Sequence, residues 1–328
     1  MRFHSSLPPR HLALAVLAVA IWGANFSVID VGLEVFPPLL FAGLRFSLVA
    51  ACCLVVPRPQ VSWRWLLTVG LFTGTGQYAL LYLGMAAGMP SGLSSLIMQA
   101  QVPFTILFAA AGLGERPSGR QALGIAVSGV GLLLVGLARG RAGGGGTIPA
   151  LALVLVLAAA ASWAVGNVCT RIARPDSGFR LVVWSSLVPP LPLLGLSLLH
   201  EGPHRDAAAF AHANAGTWLS LAGTVGLATI LAMGLWSSLL GRYPADQVVP
   251  FALAIPVVGL AVGWAAQGES VTAAMLGGAA VVLAGLALVV VGPRSRAGSV
   301  PNPGAASSGA TPEIRTTPGP AAMPAADG

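Results

Sequence analysis

Ten long apolar runs follow one another along this 328-residue chain, and no other feature constrains its fold as strongly. Each run approaches the roughly 20 residues that a helix needs to cross about 30 Å of hydrocarbon. Backbone groups in lipid must be paired within the spanning structure, and barrel strands would be shorter and alternate polar with apolar residues. The runs are therefore predicted to be transmembrane helices. They are Leu12–Ile29, Leu39–Val56, Leu66–Ala87, Leu93–Leu113, Ala122–Ala138, Ile148–Cys169, Leu181–Leu199, Trp218–Leu240, Val248–Ala266 and Ala273–Val291.

The composition agrees with a chain that lies in a lipid bilayer. Hydrophobic residues make up 55% of the sequence and charged residues only 8%, whereas soluble domains carry about 25% charged residues. The formal net charge of +7 comes entirely from arginines, which stand singly in short loops. Nucleic-acid binding needs a basic, soluble surface. We therefore predict an all-α integral membrane protein with no nucleic-acid partner.

The positions of the arginines predict the orientation of the chain, because cytoplasmic loops are enriched in positive charge. Arg45 lies within a predicted span, which leaves 16 of the 17 arginines in loops and tails. If the N-terminus is cytoplasmic, 13 of these 16 fall on the cytoplasmic side and 3 on the outer side. The prediction is a multi-pass protein of the cell inner membrane with both termini in the cytoplasm.

The chain contains an internal repeat of five spans. Trp22 and Asn25 of the first half correspond to Trp163 and Asn167 of the second, with one residue inserted. Because five is odd, the second copy must enter the membrane upside down, and inverted repeats of this kind build many secondary transporters. Five residue pairs share the offset of 154: Pro90 and Pro244, Gly114 and Gly268, Glu115 and Glu269, Gly124 and Gly278, Gly131 and Gly285.

The repeat and the local composition divide the chain into four parts. The first five-helix repeat is predicted at residues 1–138 and the second at 148–292. Residues 139–147 contain four consecutive glycines and are predicted to be a flexible linker. Residues 293–328 are rich in Pro, Ala, Gly, Ser and Thr and are predicted to be a disordered cytoplasmic tail. The longest loop, residues 200–216, is predicted to be polar and exposed.

Three stretches resemble a known family. Residues 22–46 read WGANFSVIDVGLEVFPPLLFAGLRF, residues 89–101 read MPSGLSSLIMQAQ, and residues 235–249 read LWSSLLGRYPADQVV. With the two Gly-Glu pairs, they resemble the EamA family of the drug/metabolite transporter superfamily. The resemblance covers residues 12–291 and is greatest to exporters of O-acetylserine and cysteine. It implies ten helices and the export of small amino-acid-related metabolites.

Arg45 is the only charged residue well inside a predicted span. A charge at that depth costs at least about 2.5 kcal/mol unless it faces water or a partner. Two interpretations carry equal weight. Arg45 binds a carboxylate of the transported solute, or it forms a structural ion pair with Asp30, Glu34 or Glu269.

Other polar and aromatic residues at mid-depth are candidates for lining a solute cavity, with helix-to-helix packing as the alternative. The tryptophan rings would bind apolar or cationic groups, and the amides would hydrogen-bond a zwitterion. The candidates are Trp22, Asn25, Trp163, Asn167, Gln77 and Tyr78.

Four residues near helix ends and breaks are candidates for gating. Glu115 and Glu269 follow the fourth and ninth spans, at opposite faces in the inverted arrangement, where they latch gates, cap the helix ends or pair with loops. Pro103 and Pro256 interrupt the same two helices and free backbone carbonyls there, as hinges or as static kinks.

The sequence offers nothing that favours an enzyme. It contains no paired carboxylates within a span, no metal-binding motif and no nucleotide-binding loop, so neither a metal nor a cofactor is expected. Transport of a small-molecule solute would then use an ion or solute gradient, with a proton as the candidate coupling ion. The alternatives are a transporter of another solute, such as a sugar, organic cation or drug, and a passive channel. The oligomeric state is not predicted.

Overall fold

The computed structural model describes residues 7–141 and 149–290, and these residues form helices joined by short connections, with no strand among them. The helices are numbered in chain order. They are α1 Pro9–Leu33, α2 Pro38–Leu54, α3 Trp63–Ala86, α4 Ser91–Leu113, α5 Gly119–Arg141, α6 Ala150–Ala173, α7 Gly178–Ser185, α8 Pro190–Glu201, α9 Pro203–His212, α10 Ala215–Arg242, α11 Ala245–Val248, α12 Val249–Gln267 and α13 Ala273–Val290.

Helices occupy most of each predicted span within the described residues. Among the described residues, eight helices are long and apolar enough to cross a membrane, and α7 and α8 together form a ninth such segment. The remaining span coincides with α2, an apolar helix too short to meet the same length criterion. These lengths and compositions are those of a multi-pass helical membrane protein.

The structure adds two details to the predicted organisation. The span predicted at Leu181–Leu199 is not one straight helix, because α7 and α8 meet at a bend of 41°. Pro189 and Pro190 lie at the break and lack the N–H groups that would continue the helix. The predicted exposed loop at residues 200–216 contains a helix, α9, whose Asp206 lies in the first turn, where a negative charge is favourable.

Two other predicted segments fall largely outside the described residues. Helix α5 continues to Arg141 and therefore includes the first three residues of the predicted linker. The rest of the linker and the predicted tail at 293–328 lie outside the described residues.

Side chains from the second half cap a helix of the first. Helix α2 begins at Pro38, so the amides of the next two residues have no carbonyl within the helix to bond. The Glu201 carboxylate, at the end of α8, accepts hydrogen bonds from the Leu39 amide at 2.9 Å and the Leu40 amide at 3.1 Å. A carboxylate at a helix N-terminus is also favoured by the helix dipole.

Non-α segments recur at corresponding places in the two halves. Helix α3 is π-helical over Gly70–Gly76, and α10 is π-helical over Gly223–Leu231. Tight 3₁₀ turns at Met98–Ala100 and Val249–Ala254 come just before Pro103 and Pro256. A proline removes one intrahelical hydrogen bond, and the backbone tightens beside it.

Helices α5 and α13 pack closely through glycines. A Cβ atom placed on Gly124 would lie 2.6 Å from the Gly285 carbonyl oxygen, and one on Gly131 would lie 2.9 Å from the Gly278 carbonyl oxygen. The earlier glycine of α5 thus contacts the later glycine of α13, and the later glycine of α5 contacts the earlier one of α13, so the two helices run antiparallel. Small residues allow this approach, and van der Waals contact and packing then hold the helices together.

Candidate functional site

The Arg45 side chain lies in the interior of the molecule. Helix α2 places it against α3 and α10, and only 3% of the residue is exposed. A guanidinium in such a place needs hydrogen-bond partners for its N–H groups, because the cost of removing it from water is otherwise several kcal/mol. Its surroundings therefore decide what the site can bind.

Three hydroxyl groups surround the Arg45 guanidinium. Nη1 donates to the Tyr82 hydroxyl at 2.8 Å, and Nη2 donates to the Tyr78 hydroxyl at 3.1 Å and to Thr229 Oγ1 at 2.9 Å. The Tyr78 ring also lies against the guanidinium, with Cζ 4.3 Å from the ring centroid, a favourable cation–π distance. We call these four residues, Arg45, Tyr78, Tyr82 and Thr229, the cation cluster.

The cation cluster contains no negative charge. Within residues 7–141 and 149–290, Arg45 has no carboxylate at ion-pair distance, and its Nε has no hydrogen-bond partner. The structural ion pair considered from the sequence is therefore not observed. Asp30 instead accepts a hydrogen bond from Gln267, and Glu269 contacts Ser91 and Gly92. A buried cation held only by hydroxyls can accept an anionic ligand.

Trp22 meets the same turn of α10 as Arg45. Its indole N–H donates to the Ala228 carbonyl at 2.9 Å, and its ring lies edge-on to Trp236 with centroids 5.2 Å apart. Ala228 precedes Thr229, so Trp22 and Arg45 bind adjacent residues of one π-helical segment. Asn25, one turn further along α1, is half-buried and has no hydrogen-bond partner among the described residues.

Asn167 belongs to a second polar group between α4 and α6. Its amide Nδ2 donates to Gln101 Oε1 at 2.7 Å and to Thr105 Oγ1 at 3.3 Å. We call Asn167, Gln101 and Thr105 the amide cluster. In the part of the chain that the structure describes, no hydrogen bond joins it to the cation cluster. Trp163, one turn before Asn167, packs against the main hydrophobic core.

Gln77 is buried and is only 5% exposed, yet its Oε1 has no hydrogen-bond partner in the described residues. It precedes Tyr78, which contacts Arg45. Of the predicted cavity residues, the structure therefore brings Arg45, Tyr78 and Trp22 to one region. It places Asn167 in the separate amide cluster.

Glu269 lies in a hydrogen-bond network that joins the two halves. Its carboxylate accepts from Ser91 Oγ at 2.7 Å and from the Gly92 amide at 3.1 and 3.2 Å. Ser91 also bonds Gln267, which in turn donates to Asp30. We call this group the Glu269 network. It links the end of α12 to the start of α4 and to α1.

Glu115 has a different environment. Its carboxylate pairs with Arg171 at 2.8 Å, and the two side chains are 41% and 60% exposed. Helix α4 has 23 residues and is about 34 Å long. Since Ser91 begins α4 and Glu115 follows its last residue, Glu115 and Glu269 lie near opposite ends of this helix.

Sequence reasoning missed two residues of the cation cluster. Tyr82 follows Tyr78 by four residues, and that spacing places both hydroxyls on one side of α3. This signal was available. Thr229 gave no such signal, because a threonine in an apolar run most often bonds its own backbone.

The described residues contain no group of three or more His, Cys, Asp or Glu side chains that could hold a metal. The Arg45 guanidinium, buried in a helical fold and held by hydroxyls, is a charged group of the kind that often marks a solute path in membrane proteins. The sequence matches the EamA-like transporter family over residues 10–137 and again over 150–291. The chain belongs to this family.

Known relatives extend over nearly the same region. A Salmonella typhimurium protein named "Probable amino-acid metabolite efflux pump" is 43% identical over 86% of this chain and 95% of its own. An Escherichia coli protein with the same name is 40% identical over the same shares. One solved structure, titled "Crystal structure of protein", matches with a TM-score of 0.58 and 20% identity, over 86% of this chain and 96% of that one. The last match bears on the fold alone.

Proposed function

We propose that the protein is a secondary transporter that exports small amino-acid-related metabolites, similar to O-acetylserine and cysteine, by alternating access. The observation that carries this proposal is the buried Arg45, which has hydroxyl partners, an unpartnered Nε and no carboxylate within ion-pair distance among the described residues. The carboxylate of the solute supplies the missing negative charge. The efflux-pump names of two relatives support the same solute class.

The proposed architecture is ten transmembrane spans in two inverted repeats. Two matched family segments support two copies. The antiparallel contacts of Gly124 with Gly285 and of Gly131 with Gly278 support the inversion. A two-fold axis in the membrane plane that relates residues 154 apart turns the first of these contacts into the second. Short helix α2 and the bent pair α7 and α8 supply the remaining spans. Both termini lie in the cytoplasm of an inner-membrane protein, as the arginine distribution predicts.

In this proposal the solute contacts the cation cluster together with Trp22, Asn25 and Gln77. The unpartnered Gln77 Oε1 and the Asn25 amide offer hydrogen bonds to the polar end of a zwitterion. Asn167 and Trp163 line the path on the side of the second half. A proton gradient is the proposed driving force.

Glu269 and Glu115 act at two gates. The Glu269 network closes one end by joining α12 to α4 through Ser91 and Gly92. The Glu115–Arg171 ion pair joins α4 to α6 at the other end. Pro103 and Pro256 lie beside the 3₁₀ turns of the two helices that carry these glutamates, where a change in backbone angle moves the helix ends.

Substitution of Arg45 tests the proposal. Arg45→Lys keeps the charge but loses the planar set of N–H groups that matches a carboxylate. We expect the purified variant in proteoliposomes to require a roughly tenfold higher concentration of L-cysteine for half-maximal counterflow than the parent protein. Its thermal unfolding temperature in detergent should change little. A loss of stability at unchanged solute affinity would contradict the proposal.

A matched control is available in Arg58. Its guanidinium lies 4.4 Å from the Trp63 ring centroid, nearly the distance between Arg45 and Tyr78, but at an exposed position. Arg58→Lys therefore should not alter counterflow.

Parallel assays with a sugar and an organic cation test other solute classes. The absence of both saturation and trans-stimulation would favour a passive channel.

A further inference from the structure

The π-helical segment Gly223–Leu231 fixes the direction of one hydroxyl in the cation cluster. Thr229 Oγ1 donates its single proton to the Thr224 carbonyl oxygen at 2.9 Å, five residues earlier in the chain. A threonine in an ordinary α-helix would bond the carbonyl three or four residues earlier. Because the proton is used in this way, Thr229 Oγ1 presents only lone pairs to Arg45 Nη2, 2.9 Å away.

The hydrogen bonds also leave the Nε–H group of the guanidinium without an acceptor among the described residues. Nη2 has two N–H groups, and both have acceptors, Tyr78 and Thr229. Nε lies beside Nη2 on the same edge of the plane and has no partner in the described residues. A hydrogen bond from this charged N–H to a carboxylate oxygen is about twice as strong as a bond between neutral groups. The direction in which Nε–H points therefore controls recognition.

We propose that Thr229 is a positioning residue that holds Nη2 and thereby orients the Nε–H group of Arg45 toward the solute carboxylate. This inference rests on the proposed function, since it assumes that Arg45 binds a carboxylate. Thr229 belongs to the second half of the chain and Arg45 to the first, so the bond between them crosses from one half to the other. It ties the orientation of the binding group to the relative position of the two halves.

The chain offers an internal control. Thr75 lies in the π-helical segment of α3, 154 residues before Thr229, which is the offset of the repeat. Its Oγ1 also bonds a carbonyl five residues earlier, that of Gly70, at 3.5 Å, and the residue is buried. No arginine donates to Thr75 among the described residues. The two threonines therefore share their backbone bond and differ in the contact with Arg45.

The test compares Thr229→Val, Thr229→Ser and Thr75→Val in proteoliposomes, with L-cysteine and its methyl ester as competing solutes. We expect Thr229→Val to raise the half-saturating concentration of L-cysteine about five- to tenfold, the loss of one oriented hydrogen bond, and to leave that of the ester within about twofold. The preference for the acid over the ester then falls. Thr229→Ser, which keeps the hydroxyl, restores the preference, and Thr75→Val retains it.

An unchanged preference for the acid in Thr229→Val would overturn the assignment, as would a loss of thermal stability with an unchanged preference. If Thr229→Val cannot be recovered folded, Thr229→Ala provides the same comparison without a second methyl group. Failure of both to fold, while Thr75→Val folds, would make Thr229 a folding residue and reject the proposal. If Arg45→Lys keeps the preference for the acid, the proposed function itself fails. If Arg45→Lys loses it and Thr229→Val does not, only the role of Thr229 fails.

Discussion

The two Gly-Glu pairs occupy the same position in the repeat, and their glutamates have opposite surroundings. Glu269 is half-buried and accepts three hydrogen bonds from Ser91 and Gly92, whereas Glu115 is exposed and forms one surface ion pair with Arg171. A repeated motif therefore fixes where a residue lies along its helix. Its partners are supplied by other helices, and these differ between the two ends.

Two side chains of the Glu269 network, those of Gln267 and Ser91, have apolar counterparts at the other end. With the repeat offset of 154, Gln267 corresponds to Leu113, and Ser91 corresponds to Ala245. Neither leucine nor alanine has a side chain that donates a hydrogen bond to Glu115. The sequence repeat thus gives the two glutamates the same place after their helices but different chemistry around them.

Gly263 and its counterpart Ala109 differ in how they pack against the two glutamates. A Cβ atom on Gly263 would lie 2.8 Å from Glu269 Oε2, because this carboxylate folds back over α12. The equivalent residue near Glu115, 154 positions earlier, is Ala109, which is buried and carries a Cβ. The glycine is needed only at the end where the glutamate turns inward.

The largest expected effect comes from Glu269→Ala. The substitution leaves the Gly92 amide without its acceptor and removes one of the acceptors of the Ser91 hydroxyl, and we expect the free energy of unfolding to fall by about 2–3 kcal/mol. Thermal unfolding in detergent measures the change. Ser27 is buried and contacts Ser91. A cysteine introduced there by Ser27→Cys should therefore react faster with a maleimide when Glu269→Ala is also present than when it is absent. Stability and reactivity equal to the parent protein would show that the network does not close this end.

A smaller effect is expected from Gly263→Ala. The added methyl group pushes against the Glu269 carboxylate, and overpacking of this kind costs about 1–2 kcal/mol. The same unfolding and maleimide assays apply, and both should change in the direction seen for Glu269→Ala. The control is Ala109→Gly, which lowers stability by about 1 kcal/mol through helix propensity but leaves the Ser27 position equally unreactive. If both variants raised the reactivity alike, the comparison between the two ends would fail.

The smallest effect is expected from Glu115→Ala. Both partners of the Glu115–Arg171 pair are exposed, and such pairs contribute less than about 1 kcal/mol. A double-mutant cycle with Arg171→Ala should give a coupling energy below this value that decreases further as salt is added. A coupling energy as large as the loss of unfolding free energy in Glu269→Ala would mean that the two ends are equivalent.

The sequence predicted more of the fold than of the site. The apolar runs are long and continuous, so helix positions followed directly from length and composition. The break at Pro189 and Pro190 is the exception, since two adjacent prolines within an apolar run are compatible with either a kink or two helices. For Arg45, the sequence indicated a buried charge but left its partner open, because Asp30, Glu34 and Glu269 were all plausible from depth alone.

The sequence by itself determined a helical membrane protein, and it predicted a five-span repeat and one arginine deep in a span. These properties depend on hydrophobic length, on spacing and on the cost of charge in lipid, all of which are local. Only the tertiary structure decided that Arg45 contacts three hydroxyls on two other helices, and that Glu269 turns inward while Glu115 does not. Hydrogen bonds between distant residues depend on which helix faces pack together, and no spacing along one chain segment specifies that choice.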